Sequence, residues 1–276
     1  MKHACVVGWP IKHSRSPLIH GHWLKKYNID GDYTTAPVEP QDLSEFLSTL
    51  QQRGYVGCNV TVPHKEAAFA VVKIKHASAT AIGAANTIWL ENGKLACANT
   101  DTYGFMTNLS QTAPEWQQHS GPIIVLGAGG SARAVVYGFL QANRRDIRIF
   151  NRTIDRAHEL VEHFGASVSA HPWEARNDQT ENAAVIVNTT TLGMNGMGDL
   201  GMDFASVDQP CVAVDLVYVP MQTQFLQAAQ AHGLKTVGGL GMLLHQAVPG
   251  FEKWFGVRPE VTDDLVRLIT RDIESA

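Results

Sequence analysis

Short apolar runs of strand length alternate with amphipathic stretches of helical length from the first residues of the chain. Residues 4–8 form an apolar run that predicts a strand, residues 16–27 predict an amphipathic helix, and residues 32–36 a second strand. A helix over 39–52 and a strand over 55–61 follow. The Asn92-Gly93 pair between the runs 84–90 and 95–99 predicts a hairpin. A polar stretch, 111–121, then leads into a second alternating run, which opens with a strand at 122–126 and a helix reaching residue 140. Further strands are predicted at 147–150, at 185–187 and from residue 213. From Gly238 the chain is rich in Leu, Val and Phe and predicts a core helix that packs back onto the first half. This pattern predicts an α/β fold with sheets buried between helices.

Composition narrows the classes. A chain of 276 residues can bury one large core or two modest ones. Its formal net charge of -4, with 22 scattered basic residues, gives no footprint for nucleic acid. No apolar run is long enough to span a bilayer, which argues against a membrane partner. Cys5, Cys58, Cys97 and Cys211 stand far apart without a C-x-x-C pair, as expected for reduced thiols. The first residues run straight into a strand without a signal-peptide pattern, so a cytoplasmic location is expected. No metal is expected: His20 and His22 are two apart on a helix and do not share a face, and no H-E-x-x-H or cysteine cluster occurs.

The polar positions that interrupt the first half carry candidate chemistry. In Asn59-Val60-Thr61-Val62-Pro63-His64-Lys65 a buried strand runs towards a helix, with Pro63 suited to its first position and Lys65 in its first turn. A lysine there feels the positive end of the helix dipole, while a carboxylate such as Asp101 of Asn99-Thr100-Asp101 pulls the other way. Such a lysine can pass a proton to or from a substrate oxygen. If residues 14–16 are extended, Ser14 and Ser16 share one side and Arg15 points away, a donor pair for a carboxylate; alternatively Ser16 caps the following helix. Asn86 adds an amide where a strand begins. Ser14, Ser16, Asn59, Thr61, Lys65, Asn86 and Asp101 together suit a small polyhydroxylated acid, since every buried oxygen needs a partner. His13 and His64 adjoin these motifs and are expected in solvated loops.

The second half opens with a nucleotide fingerprint. The strand at 122–126 meets Gly127-Ala128-Gly129-Gly130-Ser131-Ala132 and a helix, which fits G-x-G-x-x-A. Gly127 permits the turn, Gly129 lets the backbone approach a pyrophosphate, and Ala132 lets helix and strand pack closely. After the next strand come Asn151, Arg152, Thr153 and Arg156, where an NAD site usually has an acid. Arg152 can instead bind a 2′-phosphate through two hydrogen bonds, so NADP is favoured; Asp155 is expected to cap a helix. Thr189 and Tyr218 follow strands whose carboxyl ends collect ligands, and Asp215 is expected to order its own turn.

These motifs resemble the shikimate dehydrogenases along nearly the whole chain: Ser-x-Ser-Pro at 14–17, Asn-x-Thr-x-Pro-x-Lys at 59–65 and Gly-Ala-x-Asn-Thr at 83–87. They continue with Asn-Thr-Asp at 99–101, Gly-Ala-Gly-Gly at 127–130, Asn-Arg-Thr at 151–153 and Gly-Gly-Leu-Gly-Met-Leu-Leu-His-Gln at 238–246. The resemblance implies a discontinuous substrate domain (1–105 with 240–276), a Rossmann NADP domain (106–239) and a cleft between them. It implies Lys65 and Asp101 as the catalytic pair, with Tyr218 and Gln246 at the substrate. It also implies cofactor contacts at Thr189, Leu216, Gly239 and Met242. The activity implied is reversible reduction of 3-dehydroshikimate by NADPH, in a monomer or homodimer. The serine pair matches the shikimate form, whereas relatives that also accept quinate tend to carry threonine at the position of Ser16. A broader quinate/shikimate enzyme, a non-catalytic NADP sensor and a dehydrogenase acting on folate carriers are the competing readings.

Overall fold

The computed structural model describes residues 1–275 and contains two six-stranded sheets. The chain divides into two compact units, Met1–Asp101 with Leu244–Ala276, and Thr102–Leu243.

In the first unit β1 (Lys2–Gly8), α1 (Ser16–Lys26), β2 (Gly31–Pro37), α2 (Leu43–Ser48) and β3 (Tyr55–Val60) alternate as the apolar pattern predicts. Next come α3 (Lys65–Val71), β4 (Ile74–Lys75), α4 (Ala77–Ile82), β5 (Thr87–Glu91) and β6 (Lys94–Ala98). The sheet order is β2-β1-β3-β5-β6-β4. β1 is parallel to β2 and β3, whereas β5 is antiparallel to both β3 and β6. The β5–β6 hairpin turns at Asn92 (φ 51°) and Gly93 (φ 74°), the paired positive φ values that an Asn-Gly turn adopts readily. The helix expected over 39–52 is shorter: a 3₁₀ turn, Pro40–Asp42, precedes the six residues of α2.

The final helices belong to this unit. α10 (Asp263–Glu274) receives the Arg15 guanidinium on Asp272 at 2.9 Å, and the Trp23 indole N–H reaches the Glu260 carbonyl at 3.0 Å. The Trp254 indole N–H is bonded to Ile88 O at 2.9 Å. Burying these aromatic rings removes large apolar surfaces from water, while each polar edge keeps a partner.

The second unit contains the rest of α5 (Asp101–Thr112), then β7 (Ile123–Leu126), α6 (Gly130–Gln141), β8 (Ile147–Asn151), α7 (Ile154–Phe164) and β9 (Val168–Pro172). It continues through β10 (Val185–Asn188), β11 (Val212–Asp215), α8 (Gln224–Ala231) and β12 (Lys235–Val237) to the first turn of α9 (Leu240–Phe255). All strands are parallel, in the order β12-β11-β10-β7-β8-β9. This is the doubly wound dinucleotide-binding arrangement, and its strand order reverses between β7 and β10. β7, β10 and β11 are buried along their whole length, which explains their continuous apolar runs.

Candidate active site

Lys65 stands where a tight turn enters a helix. The Val62–Pro63 bond is cis, and the His64 N–H closes the turn on the Thr61 carbonyl at 2.9 Å. α3 therefore starts at Lys65, and Pro63 lies in the turn ahead of the helix rather than at its first position. The turn is anchored twice. His64 is buried, with Nε2 donating to Val38 O at 2.8 Å, and the Lys65 carbonyl accepts from Ala85 N–H at 2.9 Å. The expectation of a solvated His64 was wrong, because its ring supplies the donor that a buried carbonyl needs. His13 is exposed.

From this base Lys65 Nζ reaches Asp101 Oδ2 at 2.6 Å. The lysine side chain is 30% exposed and the aspartate 11%, so the pair is open on the ammonium side. Asp101 opens α5, with its N–H on Asn99 Oδ1 at 3.0 Å. Its other oxygen accepts from Asn86 Nδ2 at 2.8 Å. The Asn86 amide can be assigned without ambiguity, because its Oδ1 takes the backbone N–H of Thr100 at 2.8 Å and only an oxygen can do so. The Thr100 hydroxyl lies 2.8 Å from the Gln246 carbonyl and brings α9 to this cluster across 146 positions of sequence. Asn59 donates to Asn86 O at 3.1 Å and to Thr87 Oγ1 at 3.3 Å.

Ser14 and Ser16 are adjacent, but not on an extended segment. Arg15 is in the right-handed helical region at the N-cap of α1, and Ser16 is the first helical residue rather than the cap. The Ser16 N–H points to Ser14 Oγ at 3.3 Å, which leaves the Ser14 hydroxyl proton free to be donated. Thr61, partly buried at the end of β3, is held by its N–H on Val7 O at 2.9 Å.

In the second unit the glycine loop joins β7 to α6. Gly127 has φ +107°, and a Cβ there would lie 2.7 Å from Thr189 Oγ1, so only glycine fits. Ala128 packs against the core, as do Leu216 and Met242, and Ala132 is fully buried. Gly129, Gly130 and Ser131 are exposed at the N-terminus of α6, where the first amides of a helix have no intrahelical partner. Thr189 donates from its hydroxyl to Leu126 O at 2.7 Å. Asp215 is fully buried and accepts from Asn188 Nδ2 at 2.8 Å, Thr223 Oγ1 at 2.6 Å and Val217 N–H at 2.9 Å. It thus orders its own turn and ties the end of β10 and the N-cap of α8 to it; burial pushes its carboxyl up, and these three donors oppose that shift.

At the end of β8, Asn151 Nδ2 holds Thr153 O at 2.7 Å and folds the turn. Arg152, Thr153 and Arg156 are exposed, and among the described residues neither arginine is in an ion pair. Asp155 does not cap α7: Thr153 is the N-cap, and Asp155 lies in the first turn, where its charge complements the helix dipole. Gly239 sits where any Cβ would strike the Leu216 carbonyl. Tyr218 is partly buried after β11. The exposed amides of α6 and the unpaired Arg152 fit an anionic dinucleotide carrying a 2′-phosphate.

Three residues of the first-unit cluster carried no role in the sequence reading: Tyr33, whose hydroxyl donates to Asn59 Oδ1 at 2.6 Å, and Thr87 and Thr100, which flank Asn86. Thr87 and Thr100 were marked only by lying next to Asn86 and Asp101. Nothing local distinguishes Tyr33 from an ordinary strand tyrosine.

Comparison with known proteins shows the family. Residues 6–88 match the shikimate dehydrogenase substrate binding domain, 109–216 the shikimate/quinate 5-dehydrogenase domain and 239–263 the shikimate 5′-dehydrogenase C-terminal domain. The shikimate dehydrogenase (NADP(+)) of Mesorhizobium japonicum is 54% identical over 272 residues, covering 99% of this chain and 97% of its own. Shikimate 5-dehydrogenase of Thermus thermophilus, crystallised with NADP(H) and shikimate, is 33% identical with a TM-score of 0.86, covering 99% of this chain and all of its own. Quinate dehydrogenase of Corynebacterium glutamicum, in complex with NAD, superposes at a TM-score of 0.88 with 25% identity, covering 99% and 98%. The chain belongs to the shikimate dehydrogenase family.

Proposed function

We propose that this protein catalyses the reversible, NADP-dependent reduction of 3-dehydroshikimate to shikimate, with Lys65 as the proton-transferring group and Asp101 as its partner. The observation that carries the reading is the 2.6 Å contact between Lys65 Nζ and Asp101 Oδ2, on a carboxylate already oriented by Asn86. When bound, NADPH supplies the hydride and NADP takes it back.

As the substrate carbonyl gains negative charge, the partly exposed Lys65 ammonium stabilises it and delivers the proton; in reverse, neutral Lys65 accepts the hydroxyl proton. Asp101 keeps Nζ aimed while accepting from a substrate hydroxyl. Asn86 retains one amide hydrogen beyond the one given to Asp101, and the Ser14 and Ser16 hydroxyls suit the substrate carboxylate. Thr61, Tyr218 and Gln246 are assigned to the remaining substrate oxygens. The amides of Gly130 and Ser131, at the exposed start of α6, would hold the pyrophosphate over the buried Ala132, and Arg152 with Asn151, Thr153 and Arg156 the 2′-phosphate. Ala128, Thr189, Leu216, Gly239 and Met242 would complete the cofactor surface.

No helix among the described residues is long and apolar enough to cross a membrane, and all four cysteines are free and buried, which supports a reducing cytoplasmic setting. We assign the protein as a monomer or homodimer, which sedimentation would distinguish. Initial rates with shikimate or quinate crossed against NADP or NAD test the function. Turnover is expected with shikimate and NADP, and at most slow turnover with NAD or quinate. Comparable quinate or NAD rates would move the protein to the broader class, and NADP binding without turnover would make it a sensor.

A further inference from the structure

We infer that Tyr33 is a positioning residue for substrate binding: its phenol holds Asn59, and Asn59 in turn holds Asn86 and Thr87 beside the Lys65–Asp101 pair. The inference rests on the assignment of Asn86 and Asp101 to the substrate site.

The direction of each bond follows from groups that can act in only one sense. Asn59 lies 3.1 Å from the Asn86 carbonyl, which only accepts, so the Asn59 nitrogen faces Asn86. Its second amide hydrogen goes to Thr87 Oγ1 at 3.3 Å. Oδ1 must then face Tyr33, and the phenol is the donor, at 2.6 Å. Asn59 is 6% exposed and has no hydrogen left for a ligand. Its influence on a substrate therefore passes through Asn86 and Thr87, whose hydroxyl lies 3.0 Å from Asn86 Oδ1. Asn59 thus belongs to the frame behind the site instead of the contact surface expected from sequence.

The ring of Tyr33 is held independently of its oxygen. His20 stacks on it with centroids 3.9 Å apart and planes at 12°, and Trp254 lies against it at 5.8 Å. Burial raises the phenol's pKa well above its ordinary value, so it remains a donor throughout the working range. Replacing Tyr33 by phenylalanine keeps the packed ring and removes its hydroxyl, which takes the donor from the buried Asn59 Oδ1 and also ends the phenol's contact with Ser16.

Steady-state kinetics of Y33F, with shikimate and NADP varied separately, test the idea alongside wild type and K65A. The shikimate KM is expected to rise about 5- to 20-fold, with kcat within about 3-fold and the NADP KM unchanged, as for loss of one buried hydrogen bond. If Y33F folds poorly, N59L, which breaks the same relay at its next link and keeps the Tyr33 ring, is measured in its place, and the same rise in the shikimate KM is expected. A shikimate KM within about twofold of wild type in either folded variant overturns the inference, as does an equal rise in the NADP KM. The outcomes separate the two readings. Without shikimate turnover in the wild type both fall; with it, an unchanged Y33F removes only the role of Tyr33, and an unchanged K65A only that of Lys65.

Discussion

In the first unit Asn59, Asn86, Thr87, Thr100 and Asp101 are all buried and hydrogen-bonded to one another, whereas in the second Gly129, Gly130, Ser131, Arg152 and Arg156 stand exposed. On the function proposed, the two regions meet their ligands on different terms. A small substrate with several hydroxyls and one reacting carbon needs groups fixed in direction, and burial with full hydrogen bonding fixes them in advance. A dinucleotide needs charge complementarity along its phosphates, which an open helix terminus and an exposed guanidinium supply while staying hydrated until binding. Mutations in the first region should therefore damage chemistry and substrate affinity, and mutations in the second cofactor affinity.

The sharpest way to break that contrast is at Lys65. K65A is expected to lower kcat by about 100- to 10,000-fold, the range for losing a positioned acid or electrostatic donor. NADP affinity, measured by fluorescence titration, should stay near wild type; a normal turnover number would remove Lys65 from the mechanism. Arg152 is the counterpart in the second region. R152A should raise the NADP KM by about 10- to 100-fold, as for charge-assisted bonds worth roughly 1.5–3 kcal/mol, and leave shikimate KM and the slow NAD reaction unchanged. An equal loss with NAD would show that Arg152 does not read the 2′-phosphate.

His20 gives the smallest effect and concerns stability. It is fully buried, its ring nitrogens have no hydrogen-bond partner among the described residues, and burial lowers its pKa to about 3, against a weaker opposing pull from Asn59. The unfolded chain then binds a proton, at the ordinary pKa of 6.5, that the folded chain does not. The stability linked to this group is fully present above pH 6.5 and is lost progressively as pH falls towards 3, at up to about 1.4 kcal/mol per pH unit. Urea unfolding between pH 5 and pH 7 should show this slope in the wild type and a flatter one in H20F. Parallel slopes would mean that the ring is protonated in the folded state.

The two regions also differ in how far they could be read from the chain. Apolar periodicity, the Asn92-Gly93 turn and the glycine loop are local signals, and their geometry is local too: φ +107° at Gly127 and the paired positive φ values of the hairpin require particular residue types. The order of elements in the second unit was therefore legible, with the glycine loop between β7 and α6. Lys65 and Asp101 were legible as candidates, since ionisable and amide side chains stand out in apolar runs. The turn before Lys65 was misread, because Pro63 fits a helix start as well as the cis turn it occupies, and proline identity does not choose between them. His64 was misread because a histidine beside a turn carries no mark of the carbonyl it pins, 26 positions away at Val38.

What the sequence by itself determined is the alternation of elements, the glycine-bearing turns, the dinucleotide fingerprint and the set of residues able to do chemistry, because each depends on intrinsic conformational preference or on side-chain type. Only the tertiary structure decided which of those residues are partners and which form their support. Tyr33 meets Asn59 across 26 positions and Thr100 meets Gln246 across 146, through sheet order and helix packing. A buried polar group takes whichever partner the fold brings within about 3 Å, and the direction of an amide is set by backbone groups that no sequence motif records.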